Sequence, residues 1–154
     1  MARLDVGAKA PGFTLKNQSG DQVALRDFAG RRLVVYFYPA DDTPGCTTEA
    51  CQFNDELANF KNLDVDVLGV SPDLADDHVA FRAKYALTFD LLSDPNKKVM
   101  ASYGAYGEKM FYGKKVIGVI RSTFVIGPTG RIEHAWYGVR TDGHAARVLA
   151  ALSD

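Results

Sequence analysis

Two cysteines stand five positions apart in the stretch from Tyr38 to Cys51, YPADDTPGCTTEAC, and the chain contains no others. Such a pair is either two unpaired core residues or a redox device built on thiol–disulfide exchange. The flanking residues give the first cysteine a distinct setting. Thr43 can act as the N-cap of a helix, Pro44 suits its first position and Gly45 lets the backbone be approached closely, which leaves Cys46 in the first turn. There the unpaired backbone N–H groups and the positive end of the helix dipole favour a thiolate over a thiol. Cys46 is therefore a candidate nucleophile. Asp41 and Asp42 act in the opposite sense, because nearby negative charge disfavours a thiolate, and the reading requires both to point into solvent.

Cys51 is placed differently. On an intact helix a separation of five residues turns the two side chains roughly 140° apart and sets their Cα atoms roughly 8.7 Å apart, from helical rise and radius. A disulfide tolerates at most about 7 Å. If both cysteines serve one reaction, the first turns of the helix must unwind. The alternative is that Cys51 is a small buried residue of the helix.

The elements that would hold these residues can be read from apolar patterning. Phe13 to Leu15 and Gln22 to Leu25, separated by Asn17-Gln18-Ser19-Gly20, predict a short hairpin. Arg32 to Tyr38 is a near-continuous apolar and aromatic run, as expected of a strand buried on both faces, and Pro39 closes it. Ala50, Phe53, Leu57 and Phe60 recur at helical spacing within Thr47 to Lys61, and Asp66 to Val70 follows as another buried strand. A helix from about Leu74 to Tyr85, a strand at Phe89 to Leu92 and a short helix at Asn96 to Tyr103 continue the alternation. An extended loop is expected through Lys115. Strands at Val119 to Ile126 and Arg131 to Trp136 flank the turn Gly127-Pro128-Thr129-Gly130, and Gly143 to Leu152 has the composition of a closing helix. The pattern predicts a three-layer α/β domain with a mixed sheet.

Whole-chain properties narrow the function classes. With 154 residues and 47% hydrophobic content the chain suits one domain, residues 1–154, around one core. A formal net charge of −1, with basic runs no longer than pairs such as Arg31-Arg32, argues against a nucleic-acid partner. No apolar run approaches membrane-spanning length, and Asp5, Lys9 and Pro11 interrupt the region where a signal peptide would need continuity. A cytoplasmic location is expected, where a structural disulfide is out of place.

Pro39-Ala40-Asp41-Asp42-Thr43-Pro44-Gly45-Cys46 matches the P-x-x-x-T-x-x-C motif of peroxiredoxins, and FYPADDTPGCTTEAC resembles their peroxiredoxin Q, or bacterioferritin comigratory protein, branch. The resemblance extends from Gly7-Ala8-Lys9-Ala10-Pro11-Gly12-Phe13 through Leu91-Leu92-Ser93-Asp94, Tyr106-Gly107-Glu108-Lys109 and Arg121-Ser122-Thr123-Phe124. It implies a thioredoxin-like fold of the peroxiredoxin type, with an extra N-terminal β-hairpin and a mixed central sheet, and thiol-dependent reduction of hydroperoxides. On this resemblance Cys46 is the peroxidatic cysteine, Thr43 and Pro39 shape its pocket, and Arg121 faces the thiolate. Cys51 matches the resolving position of members that keep both cysteines in one helix. The resemblance thus implies an intramolecular Cys46–Cys51 disulfide, recycled by thioredoxin or a similar dithiol protein. Glu49, one turn along the helix, could hold Arg121 or be a solvated carboxylate.

Other signals carry less. Gly107 to Lys115 departs from a phosphate-binding loop in its glycine spacing, and Lys115 stands where Ser or Thr is needed. His78, His134 and His144 show no metal-ligand spacing with either cysteine, so neither a metal nor a cofactor is expected. The oligomeric expectation is a monomer, at most a weak dimer, with no membrane partner. The alternative function is a thioredoxin-fold binding or chaperone module without peroxidase turnover.

Overall fold

The computed structural model describes residues 3–153. In chain order the strands are β1 (Thr14–Asn17), β2 (Gln22–Ala24), β3 (Arg32–Phe37), β4 (Val65–Ser71), β5 (Asp90–Ser93), β6 (Tyr106–Phe111), β7 (Lys114–Val119), β8 (Ser122–Ile126) and β9 (Ile132–Tyr137). The helices are α1 (Pro44–Asp55), α2 (Leu57–Asn62), α3 (Ala75–Tyr85), α4 (Lys98–Ser102) and α5 (His144–Leu152). Seven strands form one sheet in the order β2-β1-β5-β4-β3-β8-β9. Strands β3, β4 and β5 run parallel, whereas β8 lies antiparallel to β3, and β1 antiparallel to β5. The sheet is therefore mixed, as the alternation of elements predicts, and the N-terminal hairpin extends it at one edge.

Strand β3 is central because its residues are apolar on both sides of the pleat. Successive side chains point to opposite faces, so Val34, Tyr36 and Tyr38 enter one core while Leu33, Val35 and Phe37 enter the other. The first core is roofed by α1, α2, α3 and α5 through Phe53, Phe60, Phe81 and Val148. The second is closed by Phe13, Met100, Tyr103 and Phe124. Gly69 on β4 makes room at the first core: a Cβ there would stand 3.0 Å from the Tyr36 ring and 2.9 Å from Leu91. Without it the ring of Tyr36 could not lie flat, 4.6 Å from Phe53.

Three sequence expectations are corrected. The helix opens at Pro44 after Thr43, as expected, but the single helix expected through Lys61 is two helices broken at Glu56, whose φ of −92° and ψ of 0° re-aim the chain. Phe53 and Phe60 keep their rings 6.1 Å apart across that break, which is why the apolar spacing reads as unbroken. The extended loop expected through Lys115 is the β6–β7 hairpin. Its turn uses Tyr112 and Gly113, both at positive φ, as a two-residue type I′ turn requires. Among the described residues the hairpin pairs only with itself, and it exposes Met110, Phe111, Tyr112 and Ile117, so the in-out alternation that identifies a strand is missing. Finally, the strand expected from Val119 to Ile126 is interrupted: Val119 ends β7, and Ser122 begins β8. Between them the Ile120 N–H bonds to the Ala105 carbonyl and the Arg121 carbonyl accepts from Val139, which takes both residues out of any ladder.

Candidate active site

The site lies where the loop after β3 enters α1. Thr43 occupies the N-cap position in extended conformation and Pro44 the first helical position, leaving Cys46 as the third residue of the helix. The Thr43 hydroxyl does not cap the helix. It turns back to donate to the Ala40 carbonyl at 2.9 Å, stiffening the loop instead of satisfying a helix N–H.

Cys46 is 1% exposed, within the core that contains Tyr36, Tyr38, Ala50 and Phe53. Because β8 runs antiparallel to β3 and pairs Ser122 with Phe37, the residue before Ser122 arrives at the same end of the sheet as the cysteine loop. That residue is Arg121. Its Nη2 donates to Cys46 Sγ at 3.3 Å and its Nη1 to Glu49 Oε1 at 2.7 Å. Burial opposes the guanidinium charge, but Glu49 and Cys46 together hold Arg121 above its ordinary range. Gly45 makes the approach feasible, since a Cβ at that position would come within 3.3 Å of Arg121 Nη2.

Glu49 is fully buried. Its second oxygen, Oε2, has no hydrogen-bond partner among the described residues, and neither does the hydroxyl of Tyr36. Burial pushes the Glu49 carboxyl up to about 7, although Arg121 draws it down. Of the two readings the sequence leaves open for Glu49, a solvated carboxylate is excluded and a partner of Arg121 is found. The signal was its position three residues after Cys46, on the same helical face.

Cys51 is half-buried farther along α1 and, like Cys46, is a free thiol. Burial, with Asp55 adding to it, raises the Cys51 thiol above its ordinary range. Pro39 opens the loop and lines a groove shared with Pro72, Tyr106, Val116 and Val119. The structure thus brings Cys46, Arg121 and Glu49 into direct contact, sets Thr43 at the helix entry, and leaves Cys51 on the intact helix.

The expectation that Asp41 and Asp42 point into solvent holds in part. Asp42 is at the surface, in left-handed conformation (φ 58°), and bonds to Lys84 and Tyr85. The Asp41 side chain is buried: Oδ1 accepts from the Tyr38 hydroxyl at 2.6 Å, and Oδ2 lies 2.6 Å from His78 Nδ1. It is thus turned toward α3 and held by protein groups and not by water. His144, set aside in the sequence as a metal ligand, sits at the start of α5 between the rings of Phe53 and Trp136 and bonds through Nε2 to the Thr123 hydroxyl at 2.8 Å. Burial, reinforced by Arg147 and Arg121, lowers His144 to about 4.

A buried thiol on the entry turn of a helix, held against a guanidinium at the end of the inner strands of a thioredoxin-like sheet, defines a thiol-based redox protein. Residues 6–135 match the AhpC/TSA family. The chain is 42% identical to peroxiredoxin Bcp of Bacillus subtilis over 98% of its length and 96% of that protein, and 43% identical to peroxiredoxin Bcp of Escherichia coli over 100% and 99%. Among solved structures it resembles peroxiredoxin Q of Xylella fastidiosa with a TM-score of 0.91 and 38% identity, over 99% of this chain and 97% of that one. It also resembles the bacterioferritin comigratory protein of Xanthomonas campestris, described for its alkyl peroxide reduction activity, with a TM-score of 0.86 and 44% identity over 91% and 89%. The chain belongs to the AhpC/TSA family, in its peroxiredoxin Q or bacterioferritin comigratory protein branch.

Proposed function

We propose that this peroxiredoxin reduces hydrogen peroxide and organic hydroperoxides through Cys46, and that the observation carrying the assignment is the 3.3 Å contact between Arg121 and the Cys46 sulfur at the start of α1. Sulfur attacks one peroxide oxygen; an S–O bond forms, the O–O bond breaks, and the other oxygen leaves as hydroxide or alkoxide. The thiolate is oxidised by two electrons to a sulfenic acid and the peroxide is reduced to water or an alcohol. Arg121 supplies fixed positive charge beside the thiolate and N–H groups for the displaced oxygen. Glu49 fixes the fork of Arg121 through its other terminal nitrogen. The Thr43 hydroxyl, already oriented by Ala40, and the Cys46 N–H are the groups available to orient the O–O bond, while Pro39 screens the loop without an N–H of its own.

Cys51 then attacks the sulfenic sulfur, the S–S bond forms and water leaves. Two features support this role: Cys51 is the remaining thiol of the chain, and it lies on the same helix five residues away. A dithiol protein such as thioredoxin returns both cysteines to thiols by exchange. The reading is of a single domain acting as a monomer in the cytoplasm, at most a weak dimer. Among the described residues no helix is long and apolar enough to cross a membrane.

The test is peroxide-dependent NADPH oxidation with thioredoxin and thioredoxin reductase. Wild-type protein should turn over and Cys46→Ser should lose the activity with its fold intact, since a hydroxyl at this position is a far poorer nucleophile than a thiolate. Substantial turnover by Cys46→Ser rejects the assignment.

A further inference from the structure

The loop that carries Pro39 and Thr43 is gripped from outside the site by α3. Its most buried contact is the pair of His78 and Asp41, whose side chains are 0% and 5% exposed. His78 Nε2 lies 3.0 Å from the Leu92 carbonyl, which can only accept, so this nitrogen carries a proton. Nδ1 lies 2.6 Å from Asp41 Oδ2, and the other oxygen of that carboxylate already accepts from Tyr38. The two side chains are therefore joined by a short hydrogen bond in a site closed to solvent.

Asp41 is fastened by its backbone as well. Its N–H donates at 2.8 Å to Asp73 Oδ2, which also accepts from the Ser71 hydroxyl at 2.7 Å. One residue later Lys84 and Tyr85, from the same helix as His78, hold the left-handed Asp42. The segment between Tyr38 and Thr43 is thus tied to the turn after β4 and to α3 at consecutive residues, and the Thr43 hydroxyl bonds back into that segment at Ala40.

We propose that His78 is a positioning residue for peroxide reduction: through Asp41 it fixes the loop that presents Pro39 and Thr43 to the substrate. The proposal rests on the reading of Cys46 as the peroxidatic cysteine. His78 does not touch the reacting atoms. Its removal should therefore impair a reaction that needs the loop in register and spare one that needs the sulfur alone.

Single-turnover oxidation by one equivalent of hydrogen peroxide and alkylation by iodoacetamide separate the two. In His78→Leu the peroxide rate constant should fall about 10-fold or more, as misplacement of a reacting pair does, while the alkylation rate stays within about threefold of wild type. His78→Asn, whose amide nitrogen can stand where Nδ1 stands, should recover most of the peroxide rate. If His78→Leu does not fold, Asp41→Ala carries the same test, since it removes the carboxylate that joins His78 and Tyr38 to the loop, and the two rates should diverge in the same way. A peroxide rate that falls less, or that falls in step with alkylation, overturns the proposal, as does failure of His78→Asn to recover. Amide exchange over residues 39 to 43 is an independent readout: it should quicken in His78→Leu whether or not the protein turns over peroxide, and unchanged exchange also overturns the proposal. Failure of the function reading would show instead as peroxide reduction that survives Cys46→Ser.

Discussion

Arg121 binds Cys46 with one terminal nitrogen and Glu49 with the other, so the geometry around the Cys46 sulfur is set by a carboxyl group that never meets solvent. Glu49 has a measurable signature in stability. Its carboxyl is raised in the folded protein to about 7 from an ordinary 4.5, so between those values the folded state binds the proton more tightly than the unfolded chain. This contribution is fully present below about 4.5 and is lost as pH rises through about 7, amounting to at most about 3 kcal/mol. Glu49→Gln keeps the shape and an acceptor for Arg121 but cannot ionise. Denaturant unfolding at pH 5 and pH 8 should therefore show wild type losing roughly 2–3 kcal/mol relative to Glu49→Gln between the two conditions. A difference that does not change with pH would mean that Glu49 is already ionised throughout. The sequence made Cys46, Thr43, Pro39 and Arg121 visible through one motif and a distant match. It left Glu49 open because helical spacing shows which residues share a face but not whether that face meets water.

The behaviour of α1 as an element follows from how it begins and ends. Its N-cap hydroxyl is spent on the Ala40 carbonyl, so the first turn lacks a side-chain cap, a feature normally worth about 1 kcal/mol. At the other end the break at Glu56 separates it from α2, so unwinding from the N-terminus has a defined limit. In the folded helix burial keeps the Cys51 thiol raised, and release from the helix removes that restraint. One equivalent of peroxide should produce an intramolecular Cys46–Cys51 disulfide, found by mass spectrometry, with faster amide exchange across residues 44 to 52. Cys51→Ser should still react with a first equivalent yet accumulate sulfenic acid and turn over poorly with thioredoxin. Normal turnover, or disulfides only between chains, would leave Cys51 a core residue and the enzyme with a one-cysteine cycle. Elements were legible where burial imposed a pattern: β3 because both its faces are covered, β4 for the same reason, and α3 and α5 through their bounds. The β6–β7 hairpin was not legible, since a ribbon exposed on both sides selects no alternation, and Tyr112 is 92% exposed at its turn. The interruption before β8 was hidden because Ile120 and Arg121 leave the ladder through long-range backbone bonds that no local pattern records.

In the whole molecule a second buried group opposes Glu49. His144 joins α5 to α1 through Phe53, to β8 through Thr123 and to β9 through Trp136, and it is lowered to about 4 from an ordinary 6.5. Between those values the unfolded chain binds the proton more tightly. The stabilisation is fully present above about 6.5 and is lost as pH falls through about 4, again by at most about 3 kcal/mol. Across the interval from about 4.5 to about 6.5 the two slopes have opposite sign, so their sum should be nearly flat, with stability falling on either side. Unfolding free energies at pH 5 and 6 should be alike in wild type, should rise with pH in Glu49→Gln and should fall with pH in His144→Phe. Parallel behaviour of the two variants would refute the opposition. The antiparallel placement of β8 has a consequence of another kind. Cys46 and Arg121 are 75 positions apart, so during synthesis the thiol leaves the ribosome roughly 4–15 s before its cation at ordinary elongation rates. Throughout that interval the growing chain carries a cysteine with no guanidinium beside it and no strand to bring one. On the proposed role of Arg121, peroxide reactivity is acquired only when β8 docks on β3, so a nascent or truncated chain should react with peroxide no faster than an ordinary thiol.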